Sequence, residues 1–96
     1  MHARFVRRIV YPTPTDTETL FYFLLEDTPA DSTPGSVHYG VRVLEVSSVG
    51  TLLSQETVLN VTSDRFLVMQ ILTMLIDGSV SPCGLRDIVH DLATVC

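Results

Sequence analysis

The sequence predicts an α+β domain: an antiparallel sheet of about four strands, followed by two C-terminal helices packed on one face of that sheet. Three observations predict it. Four segments with strand patterning fill the first two thirds of the chain. Two segments with helical periodicity fill the last third, and both have residues typical of helix termini. Strands first and helices last is the order of an α+β domain, because alternating βαβ units would interleave them.

The size and the charge content of the chain indicate how many domains it forms and whether it associates with a partner. Its 96 residues are expected to form a single domain, residues 1–96. Charged residues make up only 18% of the chain, against a usual share of about 25%. A small domain with so few charges has difficulty covering its surface with polar groups. We therefore expect a homodimer, or a complex with another protein, that buries the excess apolar area.

The first two strands are predicted from composition. Residues 5–11 are rich in β-branched and aromatic side chains, and the proline-rich stretch 12–17 that follows is typical of a turn. Residues 19–26 are almost continuously apolar, which predicts a strand covered on both faces. A loop over residues 27–36, with two prolines and a glycine, leads to the third strand.

The third strand, residues 37–46, is predicted from alternation. Residues 51–61 supply the fourth strand, and short links between neighbours predict that strands two to four form an antiparallel meander. At a period of two, the side chains of the third strand divide between two faces. One face holds Val37, Tyr39, Val41 and Val43, and the other holds His38, Gly40, Arg42, Leu44 and Val46.

The first predicted helix covers residues 66–76. Ser63 is the expected N-cap, with Asp64 at the positive end of the helix dipole, and Gly78 is expected to end the helix in the left-handed conformation. Polar residues occupy a narrow stripe, at Gln70 and Thr73 among others. So narrow a stripe predicts that the helix is covered on more than one side.

The second predicted helix is a surface helix. Ser81 is its expected cap, and Pro82 occupies the first helical position, where a missing N–H costs nothing. Its apolar residues fall within one arc and its polar residues on the opposite side, so one face should be buried. The apolar arc holds Leu85, Ile88, Val89, Leu92 and Cys96.

The C-terminal part of the chain resembles a small bacterial family. The shared features are the strand Tyr39-Gly40-Val41, the helix start Ser63-Asp64, and the pattern Ser-Pro-x-x-Leu-x-Asp-hydrophobic-Val over residues 81–89. Members of that family have about the same length and no assigned function. The resemblance therefore implies an uncharacterised domain and supplies no catalytic residues.

Charge and hydropathy exclude several classes of function. The net charge of −5 repels phosphate backbones, so we expect no nucleic-acid binding. The longest apolar run, residues 66–76, is shorter than the roughly 20 residues that a membrane helix needs. With no secretory signal pattern, we expect a cytoplasmic protein without membrane contact. Arg4, Arg7 and Arg8 are expected at the solvated edge of the first strand.

Motifs for catalysis, cofactors and metals are not recognisable, so an enzyme is the least favoured class. Cys83 at the start of the second helix has His90 seven residues away, beyond hydrogen-bond reach, and is interpreted as a buried or half-buried thiol. Asp87, His90 and Asp91 are interpreted as a solvated helix face rather than a metal site. No cofactor is predicted.

Two hypotheses remain from the residues. The first is an interaction module whose contacts come from the apolar second strand and the broadly apolar first helix, at Phe21, Phe23, Leu67 and Ile71. The second is a small-molecule or anion binder that uses the loop over residues 27–36 and the polar face of the third strand, at His38 and Arg42, with Gly40 between them allowing close approach. An exposed strand face with cross-strand partners is the alternative interpretation of those two residues.

Overall fold

The computed structural model describes residues 2–28 and 37–94. The strands are β1 (His2–Pro12), β2 (Thr17–Asp27), β3 (His38–Ser47) and β4 (Leu52–Thr62), and the helices are α1 (Arg65–Asp77) and α2 (Pro82–Thr94). All strand pairs are antiparallel, in the spatial order β1-β2-β3-β4. The predicted α+β fold is confirmed. Most of the predicted loop at residues 27–36 lies outside the described part of the chain.

The core lies between one face of the sheet and the two helices. Alternate residues of β2 and β3 point toward the helices, as the period of two requires. Both helices contact the sheet, so the prediction that they pack on one of its faces is confirmed. The fully buried members of this core are Leu20, Tyr22, Leu24, Val41, Val43, Val68, Ile71, Leu72, Leu75, Leu85 and Val89.

Both ends of α1 differ from the prediction by one residue. Asp64, rather than Ser63, is the N-cap, because its extended backbone lets Oδ1 accept the N–H of Phe66 at 2.9 Å. Gly78 does end the helix, and its N–H binds the carbonyl of Met74 at 3.0 Å. Its φ of −89° is not left-handed. The left-handed residue is Ser79, with φ of 49°.

The helices bury less of their apolar surface than expected. Within the described chain α1 is covered on one side only, and Phe66 and Met74 are 72% and 53% exposed. On α2, Leu85 and Val89 are buried, whereas Ile88 is 37% exposed at the border of the apolar arc. Two helices side by side on one sheet leave their outer surfaces exposed, because no other element among residues 2–28 and 37–94 packs on them.

A bulge interrupts the pairing of β3 with β4. Tyr39 pairs with Thr62 and Val41 with Val58, so the three residues 59–61 lie opposite Gly40 alone. A Cβ atom on Gly40 would lie 2.4 Å from the carbonyl oxygen of Val58. Glycine is therefore required by the close approach of the bulged backbone. Within the bulge Asn60 takes the left-handed φ of 54°, which asparagine tolerates better than most residues.

Candidate interaction surface

The face of the sheet opposite the helices is here called the open face, because neither of the two described helices packs on it. Cross-strand partners point to the same side of a sheet, so the register assigns its members. Phe5 pairs with Phe23, and Phe21 pairs with Leu44. The apolar members include Phe5, Val10, Phe21, Phe23, Leu44, Val46 and Leu52, and the polar members include Arg8, Thr19, Arg42, Gln55 and Thr57. Leu25 also belongs to this face, where it is 1% exposed.

Three phenylalanines form an aromatic cluster on this face. The ring centroid of Phe5 lies 6.2 Å from that of Phe21 and 5.7 Å from that of Phe23, in tilted and edge-on geometries. Such contacts are favourable between aromatic rings. Phe5 is nonetheless 52% exposed, and the other two rings are half-buried. Their surface borders a shallow depression of about 670 Å³.

The rim of this depression is basic. A bulge in β1 between Phe5 and Arg7 shifts the register, and Val6, Arg7 and Arg8 line the depression with the three rings. On the same strand, Arg4 lies 3.9 Å from the carboxylate of Glu26. Arg7 and Arg8 have no ion pair with any residue that the structure describes. β1 is an edge strand, so the prediction that these arginines lie at an exposed edge is confirmed.

The four residues predicted as an interface separate into two groups. Phe21 and Phe23 lie on the open face and are half-buried. Ile71 is 1% exposed within the core, so it has no surface to offer a partner of the folded chain. Leu67 is half-buried and packs against the same core. The expectation that β2 is covered on both faces stays a prediction: the helices cover one face, and on the other face Leu25 is 1% exposed whereas Phe21 and Phe23 are half-buried.

The two residues predicted to bind an anion lie on the open face, His38 at the start of β3 and Arg42 near the middle of that strand. His38 is exposed, and Gly40 separates it from Arg42 along β3. The Nε–H of Arg42 donates to Thr57 Oγ1 at 3.0 Å across the strands. That contact agrees with the interpretation of an exposed strand face with cross-strand partners. Anion binding at His38 and Arg42 stays a prediction, since its proposed loop lies mostly outside the described residues.

A polar row crosses all four strands at one end of the helix-facing side. The hydroxyl of Tyr11 lies 2.6 Å from Glu18 Oε2 and 2.5 Å from Glu45 Oε2, and Ser54 Oγ donates to Glu45 Oε1 at 3.0 Å. One phenol carries one proton, so it donates to one carboxylate at a time. Burial, aided by the two carboxylates, raises the pKa of Tyr11. The hydrogen bond from Tyr11 lowers the pKa of Glu45.

Other chemically reactive groups are dispersed. Cys83 is exposed, contrary to the expectation of a buried or half-buried thiol, because its position at the start of α2 points away from the core. The described residues include no group of three or more His, Cys, Asp or Glu side chains suited to hold a metal ion. Neither of the two described helices is long and apolar enough to cross a membrane.

The sequence predicts Phe5 within the first strand but does not indicate that it contacts Phe21 and Phe23. The alternation of β1 is broken by its bulge, and a bulge is not visible in the sequence pattern. Only the register Phe5 to Phe23 brings the three rings together.

The described residues define a small two-layer α+β domain with both helices on one face of the sheet. The chain belongs to a family of unknown function, DUF6514, whose model matches residues 6–95. The match includes the N-terminal strands, so it is broader than the C-terminal resemblance that the sequence suggests. Searches of curated proteins and of solved structures return no significant match.

Proposed function

We propose that this protein is an interaction module that forms a homodimer through the open face. One observation carries the proposal: the helices cover one side of the sheet, while the other side exposes an aromatic cluster and further aliphatic side chains. An antiparallel sheet that faces water on one side usually carries polar residues there. Here the alternate positions are largely apolar, as at the core of a protein interface.

The size of the open face suits a second copy of the chain. Four strands about 4.8 Å apart, each of about 11 residues at about 3.4 Å per residue, span roughly 700 Å². Stable protein interfaces bury about 800 Å² on each partner. Two copies packed face to face would make a four-layer assembly with both sheets inside. Sheets that pack in this way lie about 10 Å apart, a gap that side chains from the two faces fill.

Face-to-face contact is favoured over pairing through the edge strand β1. Joining β1 of one copy to β1 of another would bring the exposed Arg4, Arg7 and Arg8 of both copies together. Like charges on opposed strands are destabilising. Charged edges of this kind oppose sheet extension in natural proteins. On the open face the two guanidinium groups, of Arg8 and Arg42, are outnumbered by apolar side chains. The bacterial origin and the cytoplasmic location predicted from the sequence belong to this proposal as well.

Light scattering coupled to size exclusion tests the proposal. At about 100 µM, well above a micromolar dissociation constant, the native chain is expected to elute with twice its monomer mass. Phe23→Glu should give a folded monomer, because it buries a charge in the interface. Phe66→Glu is the matched control, since Phe66 is 72% exposed on α1, away from the open face. A monomeric native chain, or a dimer that only Phe66→Glu dissociates, contradicts the proposal.

A further inference from the structure

A second depression lies on the helix-facing side, between the bulged part of β4 and α2. Its volume is about 260 Å³. This is below the roughly 300–1,000 Å³ of sites for drug-sized ligands, so it suits a smaller molecule. Val58, Val61, Val89 and Ala93 contribute apolar walls, and Asn60, Arg86 and His90 contribute polar groups. Apolar walls with a few convergent polar groups are typical of small-molecule sites.

The guanidinium of Arg86 is held in position at the depression. Its Nη2 lies 2.9 Å from Glu56 Oε1 and 3.2 Å from the carbonyl oxygen of Thr57. The hydrogen bond from Arg86 lowers the pKa of Glu56, so the carboxylate partner is kept ionised. A guanidinium has five N–H donors in a planar fork. Both contacts engage Nη2, so the N–H groups of Nε and Nη1, which lie on different edges of the guanidinium, can each donate a single hydrogen bond to an anion.

The bulge brings Asn60 to the same depression. The left-handed φ of 54° at Asn60 and the close approach of Val58 to Gly40 are both unusual backbone features. Bulges occur often beside functional sites, where they redirect a side chain. Residues in sparsely populated backbone conformations also concentrate at such sites. Asn60 places an amide, which can donate and accept hydrogen bonds, at the wall of the depression.

His90 completes the set of polar groups. It follows Arg86 by four residues on α2, and side chains at this spacing are neighbours on one side of a helix. Both line the depression. A guanidinium, an imidazole and an amide therefore surround one cavity whose remaining walls are apolar.

We propose that this depression binds a small organic anion through its carboxylate or phosphate group. The anion would receive a charge-assisted hydrogen bond from Nη1 or Nε of Arg86, and such bonds are stronger than those between neutral groups. Asn60 and His90 would contact the remaining oxygen atoms, and a short apolar portion would lie against Val61 and Val89. The proposal does not depend on the homodimer, because α2 and the bulge lie away from the aromatic cluster.

Amide chemical-shift titration of the isotope-labelled chain tests this site. The probes are acetate, butyrate and inorganic phosphate, with sodium chloride at equal ionic strength as the control. We expect saturable shifts at residues 59–61 and 86–93 with at least one oxyanion, and none with chloride. Tighter binding of butyrate than of acetate would identify a carboxylate with an apolar portion. A response to phosphate alone would identify the phosphate class.

Variants locate the binding groups. Arg86→Gln should weaken binding by at least about tenfold, since a charge-assisted pair is lost. Asn60→Gly keeps the left-handed backbone but removes the amide, and it should weaken anion binding several-fold. Asp87→Asn is the matched control, because Asp87 is next to Arg86 but does not line the depression, and it should not weaken binding. Linear shifts up to about 50 mM with every anion, or equal affinity in folded Arg86→Gln, overturn the proposal.

Discussion

The phenol of Tyr22 donates a hydrogen bond of 2.9 Å to the main-chain carbonyl of Val80. Tyr22 lies in β2, in an interior strand of the sheet, and is 0% exposed. Val80 lies in the short link between α1 and α2. The side chain of Tyr22 therefore packs in the core and also connects the sheet to the link between α1 and α2. Burial raises the pKa of Tyr22 to about 12.

Tyr22→Phe should lower the free energy of unfolding by about 0.5–1.5 kcal/mol, because the partly buried hydrogen bond to the carbonyl of Val80 is lost. The ring and its packing are kept, so no large cavity forms. Urea denaturation followed by circular dichroism measures the change. A variant as stable as the native chain would show that the carbonyl finds another donor at no cost.

Stability should also fall at alkaline pH, and Tyr22 should contribute to that fall. A tyrosine with a raised pKa stays protonated in the folded chain while the unfolded chain loses its proton. Stability is therefore complete below the ordinary value of 10.0 and decreases as the pH rises from there toward about 12. Unfolding curves from pH 9 to about 11.5 should show a smaller decrease in Tyr22→Phe than in the native chain. If the free energy of unfolding fell equally with pH in Tyr22→Phe and in the native chain, Tyr22 would not contribute to the alkaline loss of stability.

Gly40→Ala should destabilise the chain by more than about 2 kcal/mol, because the added methyl would meet the carbonyl oxygen of Val58 at 2.4 Å. Gly84→Ala is the matched control. At that position in α2 the nearest atom, Ile88 Cδ1, is 3.8 Å away. Alanine there should be neutral or stabilise by up to about 1 kcal/mol, through helix propensity. Thermal unfolding measures the stability of both variants. If Gly84→Ala were less stable than Gly40→Ala, the close approach of the bulge to Gly40 would be refuted.

Tyr11→Phe should raise the pKa of Glu45, because the hydrogen bond from Tyr11 is the largest cause of its lowering. The depressed pKa of Glu45 contributes stability above the ordinary carboxyl range, and this is lost as the pH falls through the folded value. The variant should therefore lose less stability on acidification. Carboxyl-carbon NMR titration measures the change. Ser54→Ala should raise the same pKa by less, and a larger effect of Ser54→Ala would contradict the geometry.

Much of the fold could be predicted because its signals are local. Alternation defines β3, and the residues Pro82 and Asp64 mark helix starts within one position. The departures have tertiary causes. The bulge opposite Gly40 depends on how β4 approaches β3, and the cap of α1 depends on a single backbone torsion at Asp64.

The candidate surfaces were harder to predict for the same reason. Phe21 and Phe23 could be singled out from their apolar strand, yet Ile71 has an equally apolar context and lies in the core. Because most of the circumference of α1 is apolar, the pattern of apolar residues does not indicate which part of it contacts the sheet. Arg86 and His90 looked like an ordinary solvated face of α2, because the bulge that brings Asn60 beside them is not visible in the sequence.

The most direct test of the open face as an interface is isotope-filtered NMR on a mixture of labelled and unlabelled chains. Only contacts between copies give signals in that experiment. We predict cross-peaks between aromatic protons of Phe5, Phe21 or Phe23 in one copy and methyl groups of Leu44, Val46 or Leu52 in the other. Intermolecular contacts confined to Phe66 and Met74 on α1, or a complete absence of intermolecular signals at millimolar concentration, would contradict the account.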